Sequence, residues 1–213
     1  MLRRAATIVL VLAAGCVAAQ AGHPASGLNP ASSKPAFSSP LTLMAQAATP
    51  AVTMPNPARL AIKMMPSSPV ELGANIEFQI TSAKRGYVLL VDIDSTGKMT
   101  QIFPNPELLE RMDDDNINLI RANGRLTVPS EAIIKQGFSY RATGPVGPTA
   151  IVAILSHRKV QLIDLPDMTE GGTTAASANR LLKWVDELRV ADPHSGKLLP
   201  SEWSYDFKSY EIR

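Results

Sequence analysis

The chain has 213 residues, 45% hydrophobic and 19% charged, apolar enough to build a packed core. Two of its basic residues, Arg3 and Arg4, account for the whole excess of 21 basic over 19 acidic side chains. The remainder is therefore neutral, and a generally basic surface that seeks nucleic acid is excluded. Cys16 is the single cysteine, which excludes intrachain disulfides and multi-thiolate metal sites and leaves the hydrophobic core as the source of stability.

Leu2-Arg3-Arg4 forms a short basic region, and Ala5 to Ala14 an apolar one. Together they read as a secretory leader, too short to cross a bilayer as a permanent helix. Two exits compete. Ala13-Ala14-Gly15-Cys16 has the pattern of a lipobox, whose cysteine is lipidated and becomes the first mature residue. Ala19-Gln20-Ala21 is an A-x-A site that would release a soluble protein. Acylation of Cys16 would anchor the chain, since each buried methylene contributes about 0.8 kcal/mol. Val17 differs from the aspartate associated with inner-membrane retention, so the resemblance to that sorting rule implies the periplasmic side of the outer membrane. The expected organisation is a leader over 1–21, a tether over 22–57 and one domain over 58–213. The tether is rich in Ala, Pro, Ser and Thr and nearly uncharged, a composition that cannot offset its ordering entropy by burial.

Within the domain, Arg59 to Met65 is the first expected strand. Asn75 to Thr81 alternates, with Ile76, Phe78 and Ile80 on one face and Glu77 and Gln79 on the other, as a half-buried antiparallel strand does. Tyr87 to Ile93 is apolar at nearly every position, which suits a strand covered on both faces. Ser95-Thr96-Gly97 makes a turn, Lys98 to Phe103 returns, and Pro104 stops the ladder. Pro106 to Asn123 reads as a long loop with a helical turn near Glu107 to Met112. Further strands are expected at Arg125–Val128, Phe138–Ala142, Thr149–Ser156 and Val160–Ile163. Leu181, Leu182, Val185 and Leu188 fall on one face of a helix from Ala175 to Val190, capped by Thr173 or Thr174. Trp203 to Phe207 alternates as a closing strand. The fold class is mainly β: an antiparallel β-sandwich-like domain with one amphipathic helix before the C-terminal strand.

The run GYVLLVDIDSTGKMTQIFPN resembles the signature of a bacterial family, domain of unknown function 4384. Gly86, Tyr87, Asp92, Asp94, Gly97, Lys98, Phe103, Pro104 and Asn105 occupy its positions, and the likeness extends over about Leu72 to Ser156. Members are secreted or appended to other modules, including caspase-like peptidases. The resemblance implies an accessory or binding role by association alone, with no cofactor and no catalytic residue. Tyr87, Phe103, Pro104 and Asn105 are expected mainly to hold the hairpin, with the Asn105 amide at a loop rim.

Several groups bear on chemistry. Asp92 and Asp94 lie on the same side of their strand; paired carboxylates serve acid–base work or calcium, but more simply cap the turn. Asp113-Asp114-Asp115-Asn116 is the best candidate for a hard cation, yet lacks the glycine and distant glutamate of an EF-hand and reads as a solvated loop. Ser156-His157 would serve a hydrolase only if both converged in a cleft, and neighbours on a strand face opposite ways. Lys84-Arg85 and His157-Arg158-Lys159 are suited to phosphates or an anionic polymer, though such pairs usually sit solvated at strand ends. Trp203, Tyr205 and Tyr210 could stack on sugar rings if exposed; alternation places Trp203, Tyr205 and Phe207 in the core and leaves Tyr210 open. The expected protein is an exported, non-catalytic envelope accessory module. Its partner is an envelope protein or cell-wall component, and it touches membrane only through Cys16. A glycan or peptidoglycan binder, and then a hydrolase, are the alternatives; a soluble periplasmic or secreted protein is the alternative location.

Overall fold

The structure is a computed structural model that describes residues 55–166, 173–192 and 194–213. The leader, Cys16 and the tether up to residue 54 lie outside the described residues. The elements run in order β1 (Ala61–Met65), β2 (Asn75–Ser82), β3 (Gly86–Ile93), β4 (Met99–Phe103), α1 (Pro106–Arg111), β5 (Leu119–Ile120) and β6 (Gly124–Val128). Then come α2 (Glu131–Lys135), β7 (Tyr140–Arg141), β8 (Gly147–Ser156), α3 (Thr174–Glu187), β9 (Arg189–Ala191), β10 (Leu198–Pro200) and β11 (Trp203–Ile212).

Two antiparallel sheets stack. The first has the order β1-β2-β6, with β7 also on β2; the second has the order β11-β8-β3-β4, with β5 also on β3. The uniformly apolar runs of β3 and β8 find their reason here, because both strands are covered on both faces. Val88, Leu90, Ile151, Ala153 and Leu155 pack towards the first sheet, against Ile76, Phe78 and Ile80. Leu89, Val91, Ile93, Val152 and Ile154 pack the other way, against Ala178, Leu181, Leu182 and Val185 of α3. The outcome is a β-sandwich with a helical third layer, and β2, bearing only one core, shows the expected alternation.

β11 joins the two cores. Trp203 and Tyr205 enter the helix side, while Tyr210 and Ile212 enter the space between the sheets. Its polar positions are used as well: Ser204 Oγ accepts from Ala58 N at 3.1 Å, and Asp206 Oδ2 from Ile62 N at 2.6 Å. These side chains satisfy amides beside and within β1 across the gap between the sheets.

Three expectations change. The helical turn expected near Glu107 to Met112 is α1, but α2 is a further, unexpected helix, and each is capped by a side chain: Asn105 Oδ1 accepts from Leu108 N at 2.8 Å, and Ser130 Oγ from Ile133 N at 3.4 Å. α3 starts from Thr173 as its cap but stops at Glu187, because Val190 turns out to pair with Leu199 in the β9–β10 hairpin. Val160–Ile163 is not a strand. Val160 and Ile163 are buried, which explains the apolar signal, but side chains replace the ladder. Asn118 Nδ2 donates to Val160 O at 2.8 Å, Gln101 Nε2 donates to Gln161 O at 2.7 Å, and Ile163 N donates to Gln101 Oε1 at 3.0 Å.

Asn118 is fully buried and its Nδ2 also donates to Val88 O at 3.1 Å. Removing it would leave two buried carbonyls short of a donor, each such loss costing about 1–3 kcal/mol. Asn118→Ala is expected to lower unfolding free energy by about 2 kcal/mol and to speed amide exchange over residues 160–163. An unchanged urea midpoint would show that this docking contributes nothing.

Candidate functional site: a basic cleft at one end of β3 and β8

The signature hairpin is built from its own residues. Gly97 takes φ +85°, and Asp94 Oδ1 accepts from Thr96 N, Thr96 Oγ1 and Lys98 N at 2.8, 2.6 and 3.0 Å. Asp94 thus caps the turn as expected. Asp92 does not. It lies between the sheets, where its Oδ1 accepts from Tyr210 Oη at 2.8 Å. Desolvation pushes the Asp92 carboxyl up to about 6, the Tyr210 hydrogen bond works against this, and Asp94 adds a smaller upward push. Burial, with Asp92 beside it, likewise raises the Tyr210 hydroxyl above its usual range. Phe103 and Pro104 are buried, and Asn105 spends its side-chain oxygen on the α1 cap.

Gly86 sits where β3 passes close to β8. A Cβ there would stand 2.7 Å from Ser156 O and 2.8 Å from Leu155 Cγ. The register pairs Tyr87 with Ser156, so the residues just before β3 and just after β8 leave the sheet side by side. That register carries the two basic clusters of the sequence to one place. Arg85, Tyr87, His157, Arg158 and Lys159, with Ala191 and Asp192 at the end of β9, line a cleft of about 600 Å³.

The cleft has one anchored cation and several without partners. Arg158 Nη1 lies 3.5 Å from Asp192 Oδ2, and Arg158 Nε donates to Pro200 O at 3.3 Å. Asp192 Oδ1 is occupied by Ser195 N, Ser195 Oγ and His194 N at 2.9, 3.0 and 3.1 Å. The Ser195 amide, the largest of these influences, holds the Asp192 carboxyl below its ordinary value. The side chains of Arg85, His157 and Lys159 have no hydrogen-bond or ion-pair partner among the described residues. Lys84 bridges instead to Glu202 at 3.0 Å, an exposed pair of little energetic weight.

The other candidates do not meet here. The Ser156 hydroxyl is buried, 2.9 Å from Ser201 Oγ, and accepts from Arg158 N at 3.2 Å. Its partners include no imidazole. Asp92 lies towards the far end of β3 from Tyr87, about 17 Å away at the rise of a strand, and Asp94 lies beyond that end. Asp114 Oδ1 caps Asn116 N at 2.8 Å, and among the described residues no group of three or more His, Cys, Asp or Glu is placed to hold a metal. Trp203, Tyr205 and Tyr210 are 4%, 6% and 6% exposed, which settles Tyr210 as core. Among the described residues no aromatic ring is fully exposed, and Tyr87, half-buried, lines the basic cleft. No described helix is long and apolar enough to cross a membrane.

The fold and cleft together define an antiparallel sandwich module with a helical cover and a local basic site. Residues 70–159 match the family described as Domain of unknown function (DUF4384), and over these residues the chain is a domain of that family. The match includes Arg85, Tyr87, His157, Arg158 and Lys159, and excludes α3, β11 and the Asp192 wall. No curated protein and no solved structure matches the chain.

Proposed function

We propose that this protein is an exported cell-envelope accessory module that binds an envelope protein or cell-wall component in the basic cleft and performs no catalysis. The observation that carries this reading is the convergence of the two basic clusters on one cleft, set against the placing of the Ser156 hydroxyl on Ser201 and of Asp92 on Tyr210, away from His157 and so not gathered as a hydrolase would need. Recognition of a glycan by ring stacking has less support, since Trp203, Tyr205 and Tyr210 are all core. In this reading Cys16 carries a lipid that holds the module at the periplasmic face of the outer membrane, and residues 22–57 give it reach. Cleavage after Ala21 would instead make it soluble in the periplasm or outside the cell.

The test is cross-linking capture in intact cells with the full chain, beside Cys16→Ser and Arg85→Gln/Lys159→Gln versions. One dominant adduct that the double variant loses is the expected result, and its weakening in Cys16→Ser would place the encounter at the membrane. The same adducts from the wild type and the double variant would sink the cleft as the binding site.

A further inference from the structure

We propose that the cleft is a receptor for a phosphate monoester, a dianionic phosphate carried on a larger molecule; this rests on reading the cleft as the binding site. The charge balance selects the class. Arg85, Arg158 and Lys159 face a single carboxylate, Asp192, so two positive charges stand uncompensated even with His157 left out of the count. A phosphate monoester carries about −1.5 to −2 near neutral pH, whereas a carboxylate or a phosphodiester carries one negative charge and would leave a cation unanswered. A nucleic acid needs a track of cations along its backbone, and here the cations gather at one end of two strands.

The donors are also held ready. Arg158 is fixed from two sides by Asp192 and Pro200, so little freedom is lost when its remaining N–H groups meet an oxyanion. Asp192 Oδ1 is taken up by Ser195 and His194; the carboxylate orients Arg158 and leaves Arg85 and Lys159 uncompensated. Tyr87 stands on β3 beside them, and its hydroxyl has no partner among the described residues. Tyr87 is held at the end of the β3–β8 ladder by its pairing with Ser156, and that pairing sets Arg85 beside His157. A volume of about 600 Å³ is far larger than one phosphate group and falls in the range of small-molecule sites. The phosphate therefore occupies the basic end, and the remainder of the ester fills the rest.

Calorimetric titration of the full chain with glycerol 3-phosphate tests this. Binding is expected to weaken about tenfold in Arg85→Gln and again in Lys159→Gln, as loss of a charge-assisted hydrogen bond does. Dimethyl phosphate and acetate should bind about tenfold more weakly than the monoester. Lys208→Gln, an exposed cation on β11 paired with Ile151, well down the ladder from Ser156, should change nothing. Thermal melts of all three variants should match the wild type, because Arg85 and Lys208 are exposed and Lys159, half-buried, has no side-chain partner to lose among the described residues. Acetate binding as tightly as the monoester, unaltered binding by Arg85→Gln/Lys159→Gln, or equal loss in Lys208→Gln would each overturn the proposal.

A second arm separates the sources of the ester. Cys16→Ser protein that sediments with phosphatidic acid vesicles and not with phosphatidylcholine vesicles, through Arg85 and Lys159, assigns the site to a lipid headgroup. Monoester binding without vesicle binding assigns it to a soluble or polymer-borne phosphate. If glycerol 3-phosphate fails while the double variant still loses its captured adduct in cells, the ligand class is wrong and the cleft remains the binding site. If both fail, both readings fall.

Discussion

Asp92→Asn is expected to stabilise the domain at neutral pH by about 1–2 kcal/mol and to flatten its stability between pH 4 and 6. Burial pushes the folded carboxyl up to about 6, against an ordinary value of 3.8, so the native state holds this proton more tightly than the unfolded chain. Stability from Asp92 is therefore fully present below about pH 4 and is lost as pH rises through about 6. Above that, the folded protein carries a largely buried carboxylate at a cost of up to about 3 kcal/mol. Asparagine keeps an oxygen to accept from Tyr210 and removes the charge, but its new N–H groups need partners of their own, which reduces the gain. Urea unfolding at several pH values measures this. A wild-type curve that does not fall between pH 4 and 6, or a variant with the same fall as the wild type, would show that the Asp92 carboxyl is not strained by its burial.

Gly86→Ala is expected to cost about 2 kcal/mol and to abolish monoester binding in the cleft. The reason is contact rather than backbone conformation. The new methyl would meet the Ser156 carbonyl at 2.7 Å and Leu155 Cδ2 at 2.9 Å, closer than non-bonded atoms come. Ser156 O belongs to the backbone of a central strand and cannot swing away, and Leu155 is locked in the core between the sheets. β3 and β8 must separate locally, and it is their pairing at Tyr87–Ser156 that holds Arg85 beside His157. The urea midpoint and the titration with glycerol 3-phosphate should fall together. A variant with wild-type stability would mean that the two strands have slack at this crossing.

The sequence made some of this legible for definite reasons. The runs Val88–Val91 of β3 and Ala150–Leu155 of β8 are apolar throughout because two cores claim both faces, and β2 alternates because one core claims only one. Helix α3 declared itself through Leu181, Leu182 and Val185. The five-residue helix α2 and the three-residue strands β9 and β10 are too short for a period to register. Val160–Ile163 misled because burial was read as pairing, when Gln101 and Asn118 supply its hydrogen bonds from a distance along the chain. Asp92 was placed correctly for parity, but only the position of Tyr210 reveals that its side of the strand is the inside. The cleft was present in the sequence as two basic clusters. What joins them is the Tyr87–Ser156 register, a long-range pairing with no local signal.

The place of β11 has a consequence for how the chain is made. β8 is buried on both faces, and one of its two edges is covered only by residues 203–212. Until those residues leave the ribosome, one of the most apolar strands in the molecule presents an open template for other chains. The amides of Ala58 and Ile62 also wait for Ser204 and Asp206. The beginning and the end of the domain complete each other, so a partly emerged chain has no stable stopping point and must be kept from its neighbours until the last strand arrives.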